Sequence, residues 1–191
     1  MLRVRVLSFP DNPFWDFSIR VYAESGVAKA CLALQNRLGV DINIVLYCLW
    51  VAQQGCGRFT RPQLREFLDR VAAWRVDVIV PLRTLRNRLK EGIGSVPADH
   101  SEIVRSTVKR AELGAEHAEQ LFLASLMPEN LNPNMQPEAA AMDAAENLAQ
   151  YFSLLKVKSS ERERAEVCSL LSAVFPTVSA EKIAILSRFE T

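Results

Sequence analysis

The chain has 191 residues, of which 49% are hydrophobic and 24% are charged. This composition excludes an intrinsically disordered chain, and the length is sufficient to bury a core without disulfides or metals. The formal net charge of +1 excludes a general electrostatic attraction to nucleic acid or to anionic membranes.

The sequence predicts neither a membrane span nor a secretory signal. The longest strongly apolar run, residues 44–52, has about half the length that a spanning helix needs, so we expect a buried helix there. The apolar stretch near the start is interrupted at residues 10–13 by two prolines and two polar residues. The four cysteines show no paired spacing, which indicates free thiols and a cytoplasmic location.

After an extended arm at residues 1–10, the first half of the chain is predicted to be helical. Apolar residues recur every three or four positions over 14–23, 27–38 and 42–54, and again up to residue 90. Asn12, Asp41 and Thr60 are placed to cap three of these helices. Pro81 lies inside the stretch 74–90, where we expect a break or kink because proline has no amide hydrogen.

A long helix is expected to follow, capped by Asp99 or Ser101 and ending near residue 126. Its predicted buried line is Val104, Val108, Ala111, Ala115, Ala118 and Phe122. Residues 128–137 contain three prolines and indicate a linker, and helices are expected at 138–156, 161–175 and 179–189. We therefore predict an all-α protein, with a compact multi-helix bundle at 1–127 and a small C-terminal helical segment at 138–191.

The first three helices supply a candidate pocket of aromatic and polar residues. Its members are Trp15, Tyr22, Gln35, Asp41, Asn43 and Trp50. Two interpretations stay open for them, since aromatic residues at helical spacing are typical of a core, and Asp41 after Gly39 is typical of a helix cap.

Charge is segregated along the chain. Residues 58–90 contain nine basic and three acidic residues, whereas residues 111–150 contain seven acidic residues and no lysine or arginine. Arg83, Arg86 and Lys90 share one helical face, the candidate basic face. The two segments can pair within the fold, form two solvated surfaces, or attract partners of opposite charge.

No catalytic residue, cofactor or metal site is predicted. Cys56 lies between two glycines, but no motif links it to His100 or His117 as a base. Glu112, Glu116 and Glu119 share a helical face without the Glu-x-x-His pattern of a di-metal site, so we expect a solvated acidic face.

Several motifs in chain order resemble the DUF2390 family, a group of short bacterial proteins of unknown function. They are Phe14-Trp15-Asp16-Phe17-Ser18, Val21-Tyr22, Gly26-Val27, Cys31-Leu32-Ala33-Leu34-Gln35, Gly39-Val40-Asp41-Ile42-Asn43, Trp50, Trp74-Arg75 and Val80-Pro81-Leu82-Arg83. The resemblance covers about residues 12–125. It implies a bacterial, cytoplasmic protein and no particular activity.

From these features we expect a non-enzymatic interaction or adaptor protein that binds a protein partner or itself. The alternative is a small-ligand-binding protein, or an enzyme, with its pocket at the six aromatic and polar residues named above. Nucleic-acid binding is the least favoured function, because no nucleic-acid recognition motif accompanies the basic stretch.

Overall fold

The computed structural model describes residues 9–129, 131–157 and 160–188, and these form an all-α protein, as predicted. The helices are α1 (Pro13–Ala23), α2 (Val27–Leu38), α3 (Ile42–Gln53), α4 (Arg61–Trp74), α5 (Val80–Arg88), α6 (Ala98–Ser125), α7 (Pro137–Leu154), α8 (Glu161–Val174) and α9 (Ala180–Leu186). The predicted arm at 1–10 and the predicted helix end at 189 lie almost wholly outside the described residues.

Side-chain caps begin several helices where the sequence predicts them. Asn12 Oδ1 accepts the amide hydrogens of Phe14 and Trp15, at 3.1 and 3.3 Å. Asp41 caps α3, and Thr60 forms a capping box with Gln63 at the start of α4. These caps satisfy amide groups that the first helical turn leaves unpaired.

The predicted cap of α6 is wrong. The N-cap position is Pro97, which provides no side-chain hydrogen bond, and Asp99 and Ser101 lie inside the first turn. Ser101 is buried, and its Oγ donates a hydrogen bond to the carbonyl oxygen of Leu89 at 2.8 Å. Its hydroxyl therefore ties α6 to the end of the preceding segment and does not cap its own helix.

A π-helical turn, Arg75–Ile79, joins α4 to α5 directly before Pro81. This confirms the predicted break. Proline cannot donate to the preceding turn, and the chain responds by widening, so that Val80 N bonds to Arg75 O, five residues back. The π turn contains one residue more than an α-helical turn, so the side chains of α5 are rotated about the helix axis relative to those of α4.

Helix α3 lies at the centre of the core. Eleven of its residues are buried, and it contacts α1, α2, α6, α7 and α8. It packs most extensively along α7, whose buried face is rich in alanine and permits close approach of the two backbones. Residues of α7, α8 and α9 belong to the same hydrophobic cluster as those of α1, α2 and α3.

The predicted linker is irregular chain between α6 and α7, and it is attached to the turn after α3. Asn132 N donates to Gly55 O at 3.0 Å. Asn147 of α7 secures the same region, because its Oδ1 accepts the amide of Phe59 at 2.7 Å and its Nδ2 donates to Gly57 O. The C-terminal helices are therefore held by polar as well as apolar contacts.

Among the described helices, none combines the length and the apolar character needed to cross a membrane.

Gly55 provides a test of the contact between the linker and the core. Its φ is +80°, and a Cβ at this position would overlap the carbonyl oxygen of Asn132. Gly26 has a similar φ of +84° and open space around it. We expect Gly26→Ala to lower the free energy of unfolding by about 1 kcal/mol through backbone strain alone. Gly55→Ala should cost a further ~1–3 kcal/mol through overpacking.

Urea denaturation of the two variants beside the wild type gives this difference. Equal losses of stability in the two variants would show that the linker does not press against Gly55 in solution.

Candidate functional site

A cleft of about 740 Å³ lies between α1 and α2 on one side and the π turn, α5 and α6 on the other. Its floor is the start of α3, residues 41–43. The volume is within the ordinary range of small-molecule sites, and the lining combines apolar walls with converging polar groups.

Helix α1 has two faces, of which one packs into the core and the other lines the cleft. Phe14, Phe17 and Val21 are buried in the core. A second face lines the cleft with residues spaced three or four apart. These are Trp15, Ser18, Ile19, Tyr22 and Ala23. The sequence predicts one apolar face of α1, extended by Trp15, Ile19 and Tyr22, and the structure divides these apolar residues between core and cleft.

Five of the six predicted pocket residues line this cleft: Trp15, Tyr22, Gln35, Asp41 and Asn43. Trp50 does not. It is 4% exposed, and its ring stacks on Phe14 with centroids 5.0 Å apart. Trp50 lies seven positions after Asn43, a rise of about 10 Å along the helix, which carries it from the floor of the cleft into the core.

The floor contains a chain of buried hydrogen bonds. Ser18 Oγ donates to Gln120 Oε1 at 2.9 Å, and Gln120 Nε2 donates to Asn43 Oδ1 at 2.8 Å. Asn43 Nδ2 in turn donates to Glu119 Oε2. All four residues are at most 7% exposed. These hydrogen bonds fix the orientation of the Ser18, Gln120 and Asn43 side chains.

Glu119 ends this chain of hydrogen bonds as a neutral acid. Burial, with a contribution from nearby Asp41, raises the pKa of Glu119 to about 8, against the opposing effects of Asn43 and Arg75. Within the described residues its Oε1 has no hydrogen-bond partner. At neutral pH Glu119 therefore adds no negative charge to the floor.

Asp41 has two roles that the sequence presents as alternatives. It caps α3, since its Oδ1 accepts the amide of Asn43 at 2.9 Å, and it also lines the cleft. Its Oδ2 is 3.0 Å from Arg75 Nε, and its own amide donates to Tyr151 OH at 2.8 Å. Burial raises the pKa of Asp41, and Arg75 opposes this shift.

Arg83 and Arg86, from the candidate basic face, lie in the cleft wall. Arg83 bonds Glu112 through Nε at 2.9 Å and Glu116 through Nη2 at 2.6 Å, and Arg86 bonds Glu112 through both Nε and Nη2. Lys90 is exposed in the 3₁₀ turn after α5 and does not line the cleft. Of the three explanations for the segregated charge, pairing within the fold applies to these arginines.

The predicted burial of α6 is wrong in two respects. Val104 and Phe122 of the predicted buried line are 52% and 41% exposed, and Ala111 of the same line is exposed too. In contrast, Glu112 and Glu119 of the predicted solvated face are 5% and 2% exposed. The reason is that α6 packs against arginines of α5 and an amide of α3. Its buried face is consequently polar at the level of the cleft.

Neither Cys31, which lines the cleft, nor Cys56, in the turn after α3, has an activated thiol. Burial raises the pKa of Cys31 to about 11 and also raises the pKa of Cys56. Tyr22, beside Cys31, has its pKa raised by burial as well. A protonated thiol is a poor nucleophile.

The ring of His117 contacts Phe9 and Trp15, and Trp15 lines the cleft. The His117 ring stacks on Trp15 with centroids 4.1 Å apart and an interplanar angle of 7°, and Phe9 lies on it at 4.2 Å. Burial lowers the pKa of His117, so the ring is neutral in this stack. The stack fixes the position of Trp15. In the described part of the chain, no group of three or more His, Cys, Asp or Glu residues is arranged to hold a metal ion.

Several cleft residues are missed by the sequence analysis, above all on α6. Lys109, Glu112, Leu113, Glu116 and Gln120 line the cleft. Their spacing places them on one helical face, a signal present in the sequence. An alternation of charged and apolar residues on one face resembles a solvated surface unless the arginines that pair with it are known.

Glu119 predicts a dependence of stability on pH. Its pKa in the folded protein lies above the ordinary value, so its contribution to stability is complete at low pH and is lost as the pH rises through about 8. Glu119→Gln keeps an oxygen for Asn43 and removes this loss. We expect its stability relative to wild type to increase by more than about 1 kcal/mol between pH 5 and pH 9.

Urea denaturation at pH 5, 7 and 9 measures this difference, with Glu181→Gln on the exposed face of α9 as the control for loss of a glutamate. Parallel pH curves for wild type and Glu119→Gln would contradict the assignment of a protonated Glu119.

A family model, described as a protein of unknown function (DUF2390), matches residues 13–123, more than half of the chain. All the residues that line the cleft fall inside the match, and α7, α8 and α9 fall outside it. The chain matches no curated protein and no solved structure. The resemblance inferred from the sequence motifs is confirmed: the chain belongs to the DUF2390 family.

Proposed function

We propose that this protein binds a small ligand, without catalysis, in the cleft above the start of α3. The observation that carries the proposal is the convergence of buried polar groups at the floor of a cleft of about 740 Å³. Its location within the part of the chain that matches the family supports the proposal further. This is the alternative function considered from the sequence, and the geometry favours it over the adaptor function.

Binding without catalysis is supported by the state of the reactive groups. The three carboxylates that line the cleft, Asp41, Glu112 and Glu116, are each paired with an arginine. The thiol of Cys31 is protonated because burial raises its pKa to about 11. A general base or a nucleophile needs a group that is free of such pairing.

A neutral dye, N-phenyl-1-naphthylamine, tests the proposal because its fluorescence rises in apolar surroundings. We expect saturable binding of one dye molecule per chain. Leu32→Trp, at the edge of the cleft, should weaken binding about tenfold or more by filling the space. Ile185→Trp on α9 is the matched control, because Leu32 is 55% exposed and Ile185 is 53% exposed.

Unsaturable binding, or binding that Leu32→Trp leaves as tight as in the control, would show that the dye does not use the cleft.

We propose protein association as a second candidate function, supported by exposed apolar side chains in the loop between α5 and α6 and on α6 itself. Ile93 and Val96 of the loop are 41% and 52% exposed, and Ile103 and Val104 of α6 are 73% and 52% exposed. Exposed large apolar side chains are typical of contact surfaces. These residues would serve the interaction or adaptor function expected from the sequence, either with a protein partner or by self-association.

Light scattering after gel filtration tests self-association. We expect the mass of the wild type to exceed the 21.4 kDa of one chain at high concentration, and Ile103→Asp to restore the single-chain mass. Ile185→Asp, which changes an exposed apolar residue elsewhere, should not do so. A single-chain mass for the wild type at every concentration would contradict self-association.

We also propose a cytoplasmic location and no role in nucleic-acid binding. Four free cysteines, Cys31, Cys48, Cys56 and Cys168, suit a reducing compartment. Arg58 and Arg75 of the basic stretch are paired with Asp143 and Asp41, and no nucleic-acid recognition motif accompanies the stretch.

A further inference from the structure

The cleft has one more cation than it has carboxylates. Four basic side chains line it, Arg75, Arg83, Arg86 and Lys109, against three acidic ones, Asp41, Glu112 and Glu116. Glu119, beneath the floor, is mainly protonated at pH 7 because burial raises its pKa to about 8. The side chains that line the cleft therefore carry a net charge of +1.

This surplus charge is located at Lys109. Arg75 pairs with Asp41, and Arg83 and Arg86 share Glu112 and Glu116. Among the described residues Lys109 forms no ion pair within 4 Å, and its side chain is exposed. Lys109 is one helical turn from Glu112, the carboxylate that holds Arg86, so these two cations lie at the same level of the cleft.

Arg83 and Arg86 each have N–H groups that their ion pairs with glutamates do not use. Arg83 and Arg86 each use Nε and Nη2 for their carboxylates, and in the described part of the chain Nη1 of either has no hydrogen-bond partner. Their side chains are 20% and 22% exposed. A planar guanidinium can accept a second anion through these free donors without losing its first partner.

Apolar side chains surround this positive end. Leu113, four residues after Lys109 on the same face of α6, is 51% exposed. On the opposite wall Ile19 and Leu32 are each 55% exposed. An apolar group beside a charged head would cover these side chains and remove their surface from water.

We propose that the ligand is an amphipathic anion, with a carboxylate or phosphate head bound near Lys109, Arg83 and Arg86 and an apolar tail along Ile19, Leu32 and Leu113. This inference rests on the proposed ligand-binding function and names the class of its ligand. A cationic head would be repelled by the surplus charge, and a neutral head would leave it without a partner.

Three ligands with the same ten-carbon tail test the inference by isothermal titration calorimetry at pH 7 and low ionic strength. They are decanoate, decanol and decyltrimethylammonium. We expect decanoate to bind about tenfold or more tightly than decanol, the value of one charge-assisted hydrogen bond, and decyltrimethylammonium to bind most weakly. Decyl phosphate compares the two head groups, and binding tighter than decanol supports an anionic head of either kind.

Lys109→Met keeps the length of the side chain and removes the surplus charge. We expect it to bring the affinity for decanoate to within about threefold of the affinity for decanol. Lys90→Met removes an exposed lysine outside the cleft and should leave the preference for decanoate unchanged.

Three results would overturn the inference. Equal affinity for all three ten-carbon ligands, or tighter binding of the cation, would leave ligand binding intact and exclude an anionic head. Acetate that binds as tightly as decanoate would exclude a role for the apolar tail. If none of the ligands and not even the neutral dye binds, the proposed function itself fails.

Discussion

The complete burial of α3 is the constraint on which the rest of the structure depends. Its apolar side chains point in every direction, so it is stable only when other helices cover it on all sides. Helices α1, α2, α6, α7 and α8 do this. The cover includes α7, beyond the residues matched by the family model, so the core extends past the part that defines the family.

The polar start of α3 turns this packing into a site. Asp41 and Asn43 are at most 7% exposed, and each must find partners inside the protein because an unpaired buried polar group is costly. Gln120 and Glu119 of α6 provide them for Asn43, and Arg75 provides one for Asp41. These bonds tie the floor of the cleft to α6 and to the π turn.

Helical periodicity and caps are local, and the sequence predicts them well. The aromatic and polar residues of the first three helices identify part of the cleft. Pro81 predicts a break, where the structure has a π turn next to Arg75 and Arg83, which line the cleft. Long-range partners are not local. The burial of Glu112 depends on two arginines about 30 residues earlier in the chain, and no periodicity reports such a pair. Trp50 lies on the same face of α3 as Asn43, but it is about two turns further along the helix and is buried in the core.

Native-state hydrogen exchange of the full chain tests most directly whether α3 and its cover form one cooperative unit that supports the cleft. The account predicts that amides of α3 and α7 exchange only through global unfolding, with equal free energies of opening. A markedly lower free energy of opening for α7 than for α3 would contradict it, since α3 would then remain folded without its main neighbour.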